Sequence, residues 1–380
     1  MPNLRNRLQL IRMNKTPTAK KPAKREDKSI NLAAWPLWSE AGFKVLKRKI
    51  IVELTNRLPS RFPGELAILV PDFLRIGRIP QAGELLFFDL ETTGLSGGAG
   101  TLAFLAAFGR FLGGAKGGVT GRLEITQYLL LDFSGEADFI EKVLKEFDGL
   151  APVLSYNGKC FDSQILKNRC LMNGFKTPEN FNVDLLHPSR RLWKRMLPDC
   201  SQATIEVSVL GLDRTGDVSG AMAPEIWFSF LRTGENRELL SVCDHNVKDI
   251  TGLAAIFLGL TEIAGEPLQS REKYNFDEEN LAIFWHMAVK KNKAALARIC
   301  SDNQSFQSCL DNEELLLKNA AANGSSRAAI VLAIKAEWHL NDPALALSYT
   351  KAALANPEIP ERLHDELERR KLRLEGKIKN

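Results

Sequence analysis

No run of apolar residues in this 380-residue chain approaches the ~20 needed to cross a bilayer. The opening MPNLRNRLQLIRMNK is basic and lacks a long apolar stretch, so neither a membrane span nor a secretory leader is expected. Cysteine is sparse. Cys160, Cys170, Cys200, Cys243, Cys300 and Cys309 form no C-x-x-C pair and show no even spacing. That argues against a disulfide scaffold or a zinc ribbon and for reduced thiols in a cytoplasmic protein. What is present suffices for a core: 44% hydrophobic and 26% charged residues argue against wholesale disorder. The length suggests two or three domains.

The net charge of +5 is unevenly spread. Residues 1–30 hold nine Lys/Arg against Glu26 and Asp27, which leaves the remainder slightly acidic. With Pro17 and Pro22 and no periodicity, residues 1–35 read as a basic disordered tail, able to touch phosphates or simply to stay solvated. Residues 36–82 read as a strap leading into a domain. The next stretch alternates in the manner of an α/β protein. Strands are predicted over 83–91, 102–112, 122–131, 151–158 and 181–186, with helices over 136–147, 161–174 and 236–260. This element order is that of a ribonuclease H-like fold, a mixed five-stranded sheet flanked by helices, placed over residues 83–262. A boundary falls at 263–276, where Gly265 and Pro267 interrupt the pattern. Residues 277–380 are then wholly helical, with helices over 278–291, 293–301, 312–322, 327–340, 342–355 and 360–376. Short helices joined by tight turns suggest stacked hairpins, and Tyr349, Ala352 and Pro357 sit at tetratricopeptide-repeat (TPR) spacing.

The residues that carry chemistry are carboxylates. In FFDLETTGL (87–95), Asp89 and Glu91 are two apart on a strand and therefore share a face. Side by side at the end of an apolar strand they repel each other unless a cation lies between them, and hard oxygen donors suit Mg²⁺ or Mn²⁺. A third carboxylate, Asp162, closes SYNGKCFD (155–162) at a helix start, where an acidic residue also suits the free amides. The fourth, Asp249, lies one helical turn after His245 in DHNVKD (244–249), so the two are neighbours on one face.

The order D-x-E, N-x-x-x-x-D, H-x-x-x-D resembles that of the DEDD superfamily of 3′–5′ exonucleases over roughly residues 83–262. Asp184 to Trp193 (DLLHPSRRLW), Arg214 to Asp217 (RTGD) and Pro224 to Phe228 (PEIWF) look closer still to the YprB-type ribonuclease H-like proteins, which join such a domain to TPR-like helices. The resemblance implies that Asp89, Glu91, Asp162 and Asp249 bind two divalent ions, Mg²⁺ or Mn²⁺, in a two-metal mechanism. It further implies that His245 deprotonates the attacking water. Thr93, Gly94 and Leu95 would border the terminal nucleotide and Asn157 would orient the scissile strand. The pattern departs from the superfamily at one point, because His245 stands at the spacing of its tyrosine branch. Arg190 and Arg191 suit phosphate contacts, or a solvated helix face.

The expected activity is a divalent-metal-dependent nuclease acting on DNA or RNA, with a protein partner for the TPR-like helices and no membrane association. Its rival is a non-catalytic ribonuclease H-like/TPR scaffold that binds nucleic acid and protein. Loss of any of the four carboxylates would have favoured the scaffold, and all four are present.

Overall fold

The computed structural model describes residues 31–54, 58, 59, 61–94, 100–113, 119–147, 149, 151–300, 303–357 and 359–379. Of the described residues, 31–36 belong to a first unit. Of the tail expected over 1–35, residues 1–30 lie outside the described residues. Leu32–Ala34 make one 3-10 turn, begun by Asn31, whose side-chain oxygen accepts the Ala33 N–H at 3.2 Å.

The second unit begins at Leu37 and is centred on one seven-stranded sheet. Its strands are β1 (Ser39–Gly42), β2 (Val45–Glu53), β3 (Leu86–Thr92), β4 (Ala103–Gly113), β5 (Val119–Leu130), β6 (Val153–Ser155) and β7 (Asn182–Asp184), in the order β1-β2-β5-β4-β3-β6-β7. The pairs from β1 to β3 are antiparallel, while β3, β6 and β7 run parallel. The sequence predicts β3 to β7, but the stretch read as a strap corrects the strand number from five to seven. β2 escapes a sequence reading because Lys47, Arg48 and Lys49 break its alternation. In register with β5 these charges find partners: Lys47 Nζ reaches Tyr128 OH at 2.7 Å and Lys49 Nζ reaches Glu124 at 2.7 Å. The same strap carries α1 (Leu66–Leu69) and α2 (Asp72–Ile76), which join the core.

Helices α3 (Glu136–Leu144), α4 (Asp162–Met172), α5 (Leu186–Trp193), α6 (Gln202–Ser208), α7 (Ala223–Thr233) and α8 (Arg237–Gly265) accompany the sheet. Alternation on β3 sends Phe87, Asp89 and Glu91 to one face and Phe88 to the other. Phe87 meets Phe257 of α8 at 6.0 Å and Phe111 at 5.3 Å between ring centroids. The 29-residue α8 therefore covers the face that bears the two carboxylates. Gly109 on β4 permits this close approach, since a Cβ there would stand 2.6 Å from Ile250 Cγ2. On the opposite face Phe88 stacks on Phe108 at 5.2 Å and meets Phe147 edge-on at 5.2 Å.

Beyond α8 come α9 (Ser270–Tyr274), α10 (Glu278–Ile299), α11 (Asn303–Ala322), α12 (Ser326–Trp338), α13 (Pro343–Leu354) and α14 (Glu361–Lys379). Asp277, Ser325 and Asp342 cap α10, α12 and α13 by accepting backbone N–H groups at 2.9, 3.1 and 2.9 Å. The two helices predicted over 278–291 and 293–301 are one helix, kinked at Asn292 (φ −120°, ψ 21°). The chain does turn within 263–276, yet one apolar core runs from Leu58 to Leu332 across that turn. Trp285 of α10 lies wholly inside it and donates its indole N–H to the Cys309 carbonyl at 2.9 Å. None of the six cysteines is in a disulfide, and Cys300 Sγ lies 3.6 Å from Cys309 Sγ. Among the described residues, no helix is long and apolar enough to cross a membrane.

The last helix is held by charge. Glu337 of α12, its side chain 2% exposed, accepts from Arg370 and Lys377 at 2.9 Å each and from Arg373. Burial works against ionisation, but the three cations win and hold the carboxyl down at about 2. A depressed carboxyl stabilises the fold above its ordinary pKa near 4 and loses that stabilisation as pH falls toward 2. Glu337→Gln is expected to lower the free energy of opening α14 by about 1–3 kcal/mol at pH 7, because two of its three partners, Arg373 and Lys377, are nearly half exposed. Hydrogen exchange of residues 361–379 measures this, and unchanged protection would show that apolar packing alone docks the helix.

Candidate metal centre

Three elements meet at the end of β3. The strand brings Asp89 and Glu91, α4 starts with Asp162, and α8 brings His245 and Asp249. Donor atoms of Glu91, His245 and Asp249 all lie within 4.8 Å of one another. Asp89 and Asp162 are close enough to act on this group electrostatically. Burial first, then the charges of Asp162, Asp249 and Glu91, push the Asp89 carboxyl well above the ordinary range, and one hydrogen bond opposes them. Glu91 is raised likewise by burial, Asp249 and Asp162. Asp162 is pushed up to about 7 by burial and by Asp184. The five residues that the sequence singled out for chemistry thus come together from distant parts of the chain.

Donors hold this crowd in place. Asn246 Nδ2 donates to Asp89 Oδ2 at 2.6 Å, and Asn246 Oδ1 accepts from Gln127 Nε2 at 2.7 Å. Gln127 Oε1 in turn accepts from Arg48 Nε at 2.6 Å, and Arg48 also pairs with Asp244 at 2.8 Å. A buried relay therefore runs from β2 through β5 and α8 to Asp89, each link fixing the amide orientation of the next. Gln127 and Asn246 are fully buried.

A second set surrounds Asp249. Arg214 Nη2 donates to Asp249 Oδ1 at 2.6 Å, its Nη1 to Asp217 Oδ2 at 2.8 Å, and the same guanidinium pairs with buried Glu206. Burial opposes the guanidinium charge, but Asp249, Asp217 and Glu206 outweigh it and raise the pKa. Glu206 is fully buried and pushed up to about 7 by burial despite Arg214. It fits because Gly252 of α8 has no side chain, where any Cβ would overlap the carboxylate. Gln202 Nε2 donates to both Glu206 at 2.8 Å and the Asp249 carbonyl at 2.6 Å. His245 bridges two carboxylates, with Nδ1 at 2.9 Å from Asp217 Oδ2 and Nε2 at 3.2 Å from Asp249 Oδ2.

The turn that carries Asp162 is pinned by Asp184 at the end of β7. Asp184 Oδ1 accepts the N–H of Asn157 at 2.8 Å and of Leu186 at 3.0 Å. Asn157 is exposed in the left-handed region (φ 63°), which Asn tolerates better than most residues. Thr93 and Gly94 lie in the turn after β3, tied by Thr93 N–H to the Leu102 carbonyl at 2.8 Å and Thr92 Oγ1 to the Gly94 carbonyl at 2.9 Å. Leu95 lies outside the described residues. Arg190 is exposed on α5. Arg191 points into the fold: its guanidinium lies 4.2 Å from the Phe284 ring centroid and donates to the Leu69 carbonyl at 3.3 Å. Packing thus commits Arg191, and of the pair expected at phosphates Arg190 alone is presented to solvent.

The carboxylates fit a divalent cation. Glu91 is 8% exposed and has neither a hydrogen bond nor an ion pair among the described residues. A buried carboxylate without a partner beside three others is costly unless a cation joins it. Asn246 and Gln127 escaped the sequence reading although each left a trace. Asn246 interrupts the apolar i, i+4 stripe Val242, Asn246, Ile250, and Gln127 interrupts the alternation Leu123, Ile125, Gln127, Leu129.

Residues 86–260 match the family model of the RNase_H superfamily. Over 223 residues the chain is 33% identical to the uncharacterized protein YprB of Bacillus subtilis (strain 168), covering 57% of this chain and 51% of that protein. The match thus spans about half the length of the curated relative. Among solved structures, exonuclease I is similar with 17% identity and a TM-score of 0.30, over 50% of this chain and 42% of that one. Escherichia coli exonuclease I in complex with a 5cy-dA13 oligonucleotide is similar with 15% identity and the same TM-score and coverage.

A carboxyl whose pKa is raised by folding stabilises below its ordinary pKa and loses that contribution as pH rises through the folded value. For Asp162 the window runs from the ordinary value near 4 up to about 7. In EDTA, thermal stability is expected to fall between about pH 4 and pH 7. Asp162→Asn should flatten the fall and exceed the parent by on the order of 2 kcal/mol at pH 8. Parallel pH profiles for the two proteins would show that Asp162 carries no such burden.

Proposed function

With a ribonuclease H superfamily domain over residues 86–260 as the premise, we propose that the protein is a divalent-metal-dependent nuclease that hydrolyses phosphodiesters of nucleic acid, working 3′ to 5′ from a strand end. The observation that carries this reading is the convergence of Asp89, Glu91, Asp162 and Asp249 at one sheet end, with the Glu91 carboxylate buried and without a partner among the described residues. Those four would hold the ions, Mg²⁺ or Mn²⁺. When bound, such ions offset the charge of phosphoryl oxygens and lower the pKa of water.

The protein's own groups then have distinct tasks. Asn246 keeps one oxygen of Asp89 engaged, so the carboxylate presents the other toward its neighbours. Arg214 limits rotation of Asp249. Thr93 and Gly94 border the site from the turn after β3, where a terminal nucleotide would lie, and exposed Asn157 and Arg190 are available to its backbone phosphates. We assign the catalytic region to residues 83–262 and treat 277–380 as a helical region sharing its core.

The test is hydrolysis of 5′-labelled single-stranded DNA and RNA of matched sequence in Mn²⁺, Mg²⁺ or EDTA, beside Asp89→Asn. A metal-dependent ladder shortening from the 3′ end is expected, with the rate reduced at least roughly a hundredfold in the variant. The variant should stay folded, because an amide at 89 relieves repulsion and still accepts from Asn246. Binding without cleavage under every condition would instead leave a nucleic-acid scaffold.

A further inference from the structure

We infer that His245 is itself a ligand of the cation site, through Nε2 beside Glu91 and Asp249, with Asp217 as the positioning residue that fixes the ring. This rests on reading the carboxylate cluster as a cation site and adds a nitrogen donor to it. Three observations point the same way. The donor atoms of Glu91, His245 and Asp249 form one group within 4.8 Å. His245 Nε2 stands 3.2 Å from Asp249 Oδ2, and two donors about 2.1 Å from a shared ion, at tetrahedral to octahedral angles, lie roughly 3.0–3.4 Å apart. Third, Glu91 is buried and has no other partner among the described residues.

The tautomer follows from the far side of the ring. Nδ1 lies 2.9 Å from Asp217 Oδ2. Arg214 Nη1 donates to Asp217 at 2.8 Å and Lys248 Nζ forms an ion pair with it at 3.4 Å, so its oxygens are acceptors and Nδ1 carries a hydrogen. Nε2 then faces carboxylate oxygen at 3.2 Å, a contact that is met either by the second N–H of an imidazolium or by a cation held between the two donors. A carboxylate behind a ligating imidazole is the usual means of fixing its orientation and raising its basicity. His245 and Asp249 can chelate together because i and i+4 on α8 share a face.

Two consequences separate this site from one built of oxygen alone. A nitrogen donor favours Mn²⁺ and its later first-row neighbours over Mg²⁺, which prefers oxygen. A ligating Nε2 also has no lone pair left for abstracting a proton, so the base role implied by the resemblance would pass from His245 to another group.

The test uses the full chain, stripped of metal and without nucleic acid. Mn²⁺ binding is followed by electron paramagnetic resonance of the free ion, and the bound ion is examined by pulsed methods for coupling to a directly bonded ¹⁴N. The wild-type protein is expected to show imidazole nitrogen coupling. His245→Gln should abolish the coupling and weaken Mn²⁺ binding roughly 10–100-fold while changing Mg²⁺ binding much less. Asp217→Ala should weaken Mn²⁺ binding with the histidine still present, and Asp217→Glu should restore part of it. Tight Mn²⁺ binding without nitrogen coupling, equal in wild type and His245→Gln, would overturn the ligand assignment and leave the carboxylate site standing. Absence of any Mn²⁺ binding by the wild type would overturn both readings. The wild-type spectrum decides the question even where a variant fails to fold.

Discussion

Like charges brought together out of water repel, and the architecture around β3 is arranged to bear that repulsion. Asp89, Glu91, Asp162 and Asp249 reach one sheet end from three separate segments, and Asp162 and Asp249 make ionisation of both Asp89 and Glu91 harder. The fold answers with directed donors rather than with bulk solvent. Arg214 is shared among Glu206, Asp217 and Asp249, while neutral Asn246 serves Asp89. A cation next to Asp89 would compete with a metal, whereas an amide steadies the carboxylate and leaves its charge in place. Glu91 has neither kind of help among the described residues and groups instead with His245 and Asp249.

The packing below the site sets this geometry. Phe87 precedes Asp89 on the same face of β3 and is locked against Phe111 and Phe257. Because α8 supplies Phe257 to that core and Asp249 to the cluster, the aromatic contacts and the carboxylate cluster share one helix. Gly109 and Gly252 serve the same end, the first admitting α8 to the sheet and the second admitting Glu206 to α8. Small residues in the core thus decide where charged ones stand at the site.

Much of this was readable in the sequence, because the motif residues obey local periodicity. Asp89 and Glu91 follow the two-residue repeat of a strand, and His245 and Asp249 follow the helical turn. The five strands from β3 to β7 were legible for the same reason. What escaped depends on partners far along the chain. Arg48 looks like one charge in a basic run until Gln127 and Asp244 are placed beside it, 79 and 196 residues away. Arg191 looks like a phosphate ligand until Phe284 covers it. The kink at Asn292 reads as a helix end because the local signal for a stop and for a bend is the same.

The relay that begins at Arg48 bears on how the chain can be divided. Every acidic motif lies between residues 89 and 249, so that stretch looks like a self-sufficient module that could be excised or transplanted. Yet the hydrogen bonds behind Asp89 start on β2, and the core continues past it to Leu332. A fragment trimmed to its motifs would keep all four carboxylates while exposing the edge of β5 and removing the first link behind one of them. Inheritance and engineering alike would then act on the long segment as a whole, and the motif order alone is too short a description of the unit that can be exchanged.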